Sequence, residues 1–314
     1  MSGNETILPG RIFARLSIAA ASLLMMSASG KTPAENSAPT PPAATNPATV
    51  PIPALPADLG RASLQVSALD TLYEFDLSLE QLKTVKAAAA KTVSTKHRTA
   101  AKANPELANS LKDFQTGLLS GKDGAVVAKL RAEVMRLAAD VDLDDEVQPT
   151  PEALAQAAGV RKKFKASQIA AFLALHADQV ADPGELLASS LESAREMKAE
   201  GGAKGGAGSA AEVQTLISET GTTVGYLVFG TDEAKAKALA GQATAWLKAG
   251  LESGEKEFAS GQAARDDKAK AMIGEIDPMA VLGHWLDLQV AVLLSNPELP
   301  EAVDATVAAK AAEK

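Results

Sequence analysis

Four times between residues 100 and 280 an Asn, Thr or Asp stands directly before a proline: Asn104-Pro105, Thr150-Pro151, Asp182-Pro183 and Asp277-Pro278. The first residue of each pair offers a side-chain oxygen to the free amides of a helix start. The proline fits the first helical position, where its missing N–H costs nothing and its fixed φ suits the helix. A chain punctuated in this way is committed to helices, because each such proline also removes a donor that a central strand would need. Composition agrees. Hydrophobic residues make up 46% of the chain and aromatics only 4%. The core must therefore come from Leu, Val and Ala, and Ala and Leu are strong helix formers.

The helix boundaries follow from the same signals. A first helix is predicted from Leu59 to about Leu72. A second opens at Ser78, and further starts fall at Asn104, Gly124, Thr150, Lys165 and Asp182. Gly121 and Gly159 mark stops. In the second half, starts are expected near Ala211, at Thr231, near Gly254 and at Asp277, with Asn296-Pro297 closing the last long helix. The segment Gly221–Gly230 holds β-branched residues and glycines and is the one place where a strand competes. Helical signals on both sides favour helix. The expected fold is all-α, an irregular bundle of about ten helices, with Phe75, Phe114, Phe172, Trp246 and Trp285 as its larger anchors.

Ahead of the helices, residues 1–30 read as a Sec-type signal peptide. Arg11 and Arg15 supply its basic end, and Leu16 to Met26 is an apolar run of 11 residues. That is short of the ~20 that span a bilayer. Ala28 and Gly30 then fit a small-x-small cleavage site before Lys31. The alternative is that the run is kept as an anchor. Residues 31–57 hold eight of the sixteen prolines, which implies a disordered, extended tether. The glycine-rich stretch 201–210 reads as a flexible linker between helical subdomains 58–200 and 211–314. No segment after the apolar run approaches a membrane span, so no integral membrane segment is expected after cleavage. The expected location is periplasmic or extracellular.

Charge and cysteine content narrow the function. The net charge is -8, and the first thirty residues are slightly basic, so the rest is more acidic still. An acidic surface repels phosphate, which argues against nucleic acid and anionic lipid as partners. With no cysteine in the chain, disulfides, thiolate metal sites and a lipid anchor on cysteine are all excluded.

The most specific pattern is a repeated helix start. In Leu77-Ser78-Leu79-Glu80-Gln81-Leu82, Ser78 and Gln81 make a capping box, and Leu77 and Leu82 hold the two positions of a hydrophobic staple. Phe164-Lys165-Ala166-Ser167-Gln168-Ile169 repeats it, with Phe164 and Ile169 at the staple positions, Gln168 as the box glutamine and Lys165 where the capping Ser would be. Capping chemistry alone gives both stretches a structural role. They also resemble the LTxxQ motif of the periplasmic Spy/CpxP-type proteins, with Ser for Thr in the first copy and Leu and Thr both missing in the second. That resemblance implies a helical, exported, non-catalytic protein that binds unfolded or envelope proteins. The present chain is longer and acidic, and its motifs lie further apart.

Other candidate sites carry less. Asp140–Glu146 begins like a calcium loop but lacks the required Gly and closing Glu. His176 shares a helix face with Ile169, Phe172, Leu173 and Val180, which makes it a core histidine. His97 sits in a charged, solvated helix end. His284 has Asp287 one turn on, so the two can form an oriented base, half of a hydrolase arrangement without a nucleophile elbow. No metal motif or phosphate loop is present, and Gly206-Ala207-Gly208 follows no strand, so no cofactor is expected. The function expected is a non-enzymatic envelope protein that binds peptides or proteins. A scaffold with no ligand is the alternative, and a hydrolase using His284 a distant one. Mass spectrometry of the protein recovered from its native cell should find an N-terminus near Lys31. An intact Met1 on membrane-bound protein would mean the apolar run is retained.

Overall fold

The computed structural model describes residues 52–94, 104–138, 147, 149–176, 179–180, 182–204 and 207–312. The expected signal peptide, the part of the expected tether before Ile52, His97 and the acidic segment 140–146 lie outside the described residues. Within them the protein is all-α. It has thirteen helices against the ten or so expected, and no strand. In order these are α1 (Leu59–Phe75), α2 (Leu79–Thr92), α3 (Pro105–Leu119), α4 (Gly124–Ala138), α5 (Pro151–Arg161), α6 (Ala166–Leu175) and α7 (Pro183–Lys204). The second half holds α8 (Ala207–Phe229), α9 (Glu233–Glu252), α10 (Glu255–Ser260), α11 (Gln262–Ile273), α12 (Pro278–Ser295) and α13 (Leu299–Ala312).

The caps act as their residue types require. Asn104, Asp182 and Asp277 accept from backbone amides two or three residues on, and Thr150 from that of Ala153. One cap is displaced: Asp232, not Thr231, opens α9 and accepts from the Lys235 amide. The segment Gly221–Phe229 is helical, in the last part of α8. The single helix expected from Gly254 to Ile273 is divided into α10 and α11 at Gly261.

One expectation about organisation changes. The glycine stretch 201–210 is not linker throughout: α7 continues to Lys204 and α8 begins at Ala207. The packing of α7 on α8 outweighs the helix penalty of glycine, about 1 kcal/mol per residue. How the two halves pack is left open by the sequence. The last two helices return to the first half: α12 packs on α2, α5 and α8, and α13 on α1, α2 and α3. One continuous apolar cluster runs from Leu59 to Ala309. The Asn296-Pro297 stop is part of this join. Asn296 donates to the Leu64 carbonyl of α1, and the neighbouring Glu298 binds Arg61 through both of its oxygens. Helix α12 is long and apolar enough to cross a membrane by composition, but more than half of it is buried inside the fold.

In the second half, α8 and α9 approach so closely that side chains are excluded between them. A Cβ at Gly225 would lie 2.2 Å from the carbonyl oxygen of Ala236, and one at Gly221 would lie 2.7 Å from that of Ala240. Both clashes are with backbone, which cannot swing aside. Gly225→Ala should therefore destabilise by about 1–3 kcal/mol, although alanine is the better helix former. Gly241→Ala, where a Cβ meets nothing within 4 Å, should stabilise by up to about 1 kcal/mol. Urea unfolding of both variants checks the pair. Equal stabilisation would mean that α8 and α9 lie further apart.

Candidate functional site

The two repeated helix starts meet. Leu77 and Leu82 are fully buried, as is most of Phe164. Phe75, just ahead of the first motif, stacks flat on Phe172 of α6 with ring centroids 4.0 Å apart and lies 5.0 Å from Phe164. This aromatic contact brings the N-termini of α2 and α6 together, and the two glutamines complete the join.

Gln81 and Gln168 play equivalent parts. Each turns its carbonyl oxygen back to its own helix start: Gln81 Oε1 accepts from the Ser78 amide at 2.8 Å, and Gln168 Oε1 from the Lys165 amide at 2.8 Å. Ser78 returns the bond through Oγ at 3.4 Å, whereas Lys165 has no acceptor, so the second capping box is half made. Each side-chain amide then reaches into the other motif. Gln81 Nε2 donates to Gln168 Oε1 at 2.8 Å and to the Lys163 carbonyl at 2.8 Å. Gln168 Nε2 donates to Gln81 Oε1 at 3.1 Å and to the Asp76 carbonyl. Lys163 and Asp76 each stand two residues before a cap, so the arrangement has local two-fold character. Both amide hydrogens and both acceptor positions of each glutamine are used. Neither glutamine has a polar group left for a partner.

Beside this clasp is a cavity of about 370 Å3. Leu69 and Leu72 of α1, Leu118 and Leu119 of α3, Leu175 of α6 and Ala309 of α13 give it apolar walls, and Glu74, Asp76 and Lys310 add polar ones. Asp76 joins the clasp to the cavity. It adopts a left-handed conformation with φ 44°. Its carbonyl accepts from Gln168, and its carboxylate meets Lys310 at 2.8 Å. Leu175 is 57% exposed, while Leu69, Leu72, Leu118 and Leu119 of the same lining are buried.

Behind the cavity wall lies a cluster of charges. Arg131 of α4 grips Asp70 with two bonds of 2.8 and 2.6 Å and also meets Glu74 at 2.8 Å. The other Glu74 oxygen is 2.9 Å from His176 Nε2. Burial pushes the Asp70 carboxyl up, Arg131 opposes it and the Glu74 charge adds to it, leaving it at about 6. Burial works against a charged His176, but the hydrogen bond and charge of Glu74 outweigh it and the imidazole is raised above its usual value. Charge counting gives the same direction: two carboxylates share one guanidinium, and a proton on His176 balances the set. The histidine read as a core residue does pack on Phe172, with ring centroids 4.4 Å apart, but it is ion-paired as well.

The His284–Asp287 pair of the distant hydrolase alternative is not formed. His284 Nδ1 bonds the Leu227 carbonyl of α8 at 2.9 Å, and its Nε2 faces Gly230 so closely that a Cβ there would lie 2.4 Å away. Asp287 binds Arg161 through both oxygens. Residues three apart on one helix have turned to different neighbours, and no oriented base results. Among the described residues no three His, Asp or Glu side chains are grouped as metal ligands.

Sequence reasoning missed the charged cluster, although a signal was present. Asp70 and Glu74 are like charges four apart on one helix face. Such a pair is unfavourable alone and calls for a cation from elsewhere. Family models, curated proteins and solved structures offer no match to this chain.

The clasp predicts non-additive mutations. Gln81→Ala and Gln168→Ala should each cost about 1–3 kcal/mol, because each removes four hydrogen bonds, two of them part-buried bonds to the other glutamine. The double variant should cost less than the sum, by about 0.5–3 kcal/mol. Ser78→Ala, which removes one cap bond, should cost ~1 kcal/mol. Denaturant unfolding measures all four proteins. Strict additivity of the two glutamine changes would dissolve the clasp.

Proposed function

We propose that the protein is an exported, non-enzymatic binding protein of the cell envelope that takes apolar stretches of peptide or unfolded protein into the cavity between α1, α3, α6 and α13. The observation that carries this reading is Leu175. Among the described residues only Val126, Leu175 and Met279 are large hydrophobics left exposed, and Leu175 is the one that lines the cavity. Exposed apolar surface at a concave site is where a partner gains most from leaving water.

The charges around the cavity favour an uncharged occupant. Asp76 is neutralised by Lys310, and Glu74 by Arg131 and His176. The resemblance of the two motifs to LTxxQ-type periplasmic proteins points to the same class of activity. The saturated hydrogen bonding of Gln81 and Gln168 supports reading the motifs as the frame of the site. The hydrolase reading is weakened by the separate engagements of His284 and Asp287. A pure scaffold would need neither the cavity nor an exposed Leu175.

The test is binding of a fluorescein-labelled, unfolded peptide containing Leu and Phe and no ionisable side chain, followed by polarisation. Leu175→Glu should weaken binding about tenfold or more, the equivalent of one lost apolar side chain. Met279→Glu, at a residue 71% exposed that does not line the cavity, should leave it unchanged. Equal binding by both variants and the wild type would move the site elsewhere. No binding by the wild type would refute the reading.

A further inference from the structure

We infer that the cavity is gated by a proton: apolar ligand is held when His176 is charged and let go when His176 is neutral. This rests on the reading of the cavity as a peptide site. The geometry that carries it is one carboxylate with two duties. Glu74 lines the cavity, is itself 7% exposed and holds His176 at 2.9 Å. His176 directly follows Leu175 and caps the C-terminus of α6. The side chain at the cavity wall is thus bonded through Glu74 Oε2 to the residue that fixes the end of the cavity's exposed helix.

Among the described residues, the charged groups facing His176 belong to this one set, and the neutral Gln179 side chain adds a hydrogen bond. From α1 come Asp70 and Glu74, and from α4 comes Arg131. The α12 side chain near the imidazole is Trp285, with ring centroids 6.3 Å apart, and it brings no charge. With His176 protonated and Asp70 ionised, two anions meet two cations and the wall behind the cavity is balanced. Above the Asp70 value of about 6, a neutral His176 leaves two carboxylates sharing only Arg131, and one negative charge is uncompensated beside Leu69 and Leu72. An unbalanced buried charge draws water, and an apolar ligand entering next to it must strip that water away. The ion pair holding the α6 end is lost at the same time, so Leu175 is less firmly placed.

The sign follows from linkage. A histidine whose folded-state value is raised contributes stability that is full below its unfolded value and is lost as pH rises through the raised one. Asp70, also raised, takes up its proton more readily in the folded protein, which again favours the acid side. The Asp70 contribution is lost between its ordinary value and about 6, and the His176 contribution is lost above the ordinary histidine value, so the folded, ligand-ready form weakens as pH rises through neutrality.

The experiment repeats the uncharged-peptide titration at pH 5.5 and pH 8.0. It uses the wild type, His176→Gln, which keeps a donor toward Glu74 without titrating, and Glu74→Gln, which removes the excess charge. Thermal unfolding at both pH values identifies folded samples. The wild type should bind several-fold more tightly at pH 5.5, up to about tenfold for each unit by which ligand raises the His176 pKa. Both variants should lose most of that pH dependence. With only three histidines in the chain, the imidazole signals of His176 can be followed by NMR, and adding peptide should move its titration midpoint upward. Peptide bound equally at both pH values, with an unmoved midpoint, overturns the gate and leaves the site standing. A pH dependence that survives in His176→Gln assigns it to another group and also overturns the gate. No binding at either pH removes the site and the gate together.

Discussion

The reciprocal hydrogen bonding of Gln81 and Gln168 is the interaction on which the first half of this protein depends. A primary amide has a donor end and an acceptor end. Here the acceptor ends cap two helices and the donor ends tie those caps together, 87 residues apart in sequence. Once α2 and α6 are joined at their N-termini, Phe75 and Phe172 can stack and Phe164 closes over them. Asp76 is held in a left-handed turn that an Asp tolerates at a cost of about 1–2 kcal/mol. Asp76 and Leu175 both line the cavity beside that turn.

The ionic pairs are arranged around the same frame. Arg61 reaches Glu298 and Arg161 reaches Asp287, and each pair joins the first half to the returning C-terminal helices. Such pairs add little net stability, since desolvation offsets most of the attraction. Losing the arginine, however, leaves a buried carboxylate, Glu298 or Asp287, so the pairs penalise alternative packings. In a core built mainly of Ala and Leu, where many helix arrangements bury similar area, that penalty helps to select one. The Asp70–Glu74–Arg131–His176 set differs from these because two of its members, Asp70 and His176, are raised above their ordinary values and so change its charge with pH.

Much of the helical framework was legible in the sequence because caps, staples and stops are local. Asn104, Thr150, Asp182 and Asp277 each accept a bond from an amide two or three residues away, and such a bond can be read from spacing. Asp232 took the cap expected of Thr231 because both neighbours carry an acceptor and spacing alone does not choose between them. The glycine stretch misled for a different reason. Propensity marks it as linker, but the helices on either side are held against each other.

What the sequence by itself determined is therefore the all-α class, most of the helix starts and the capping role of Ser78, Gln81 and Gln168. Tertiary structure decided where the free end of each glutamine goes, which neighbour His284 and Asp287 choose, and that Glu74, Arg131 and His176 stand together behind a cavity. The physical reason is the range of the interactions. A backbone cap is satisfied within one helical turn, so the sequence window that encodes it also contains its partner. The partners of His284, Gln81 and Asp287 lie 57, 87 and 126 residues away. Nothing in the spacing names them until packing has brought them within hydrogen-bonding distance.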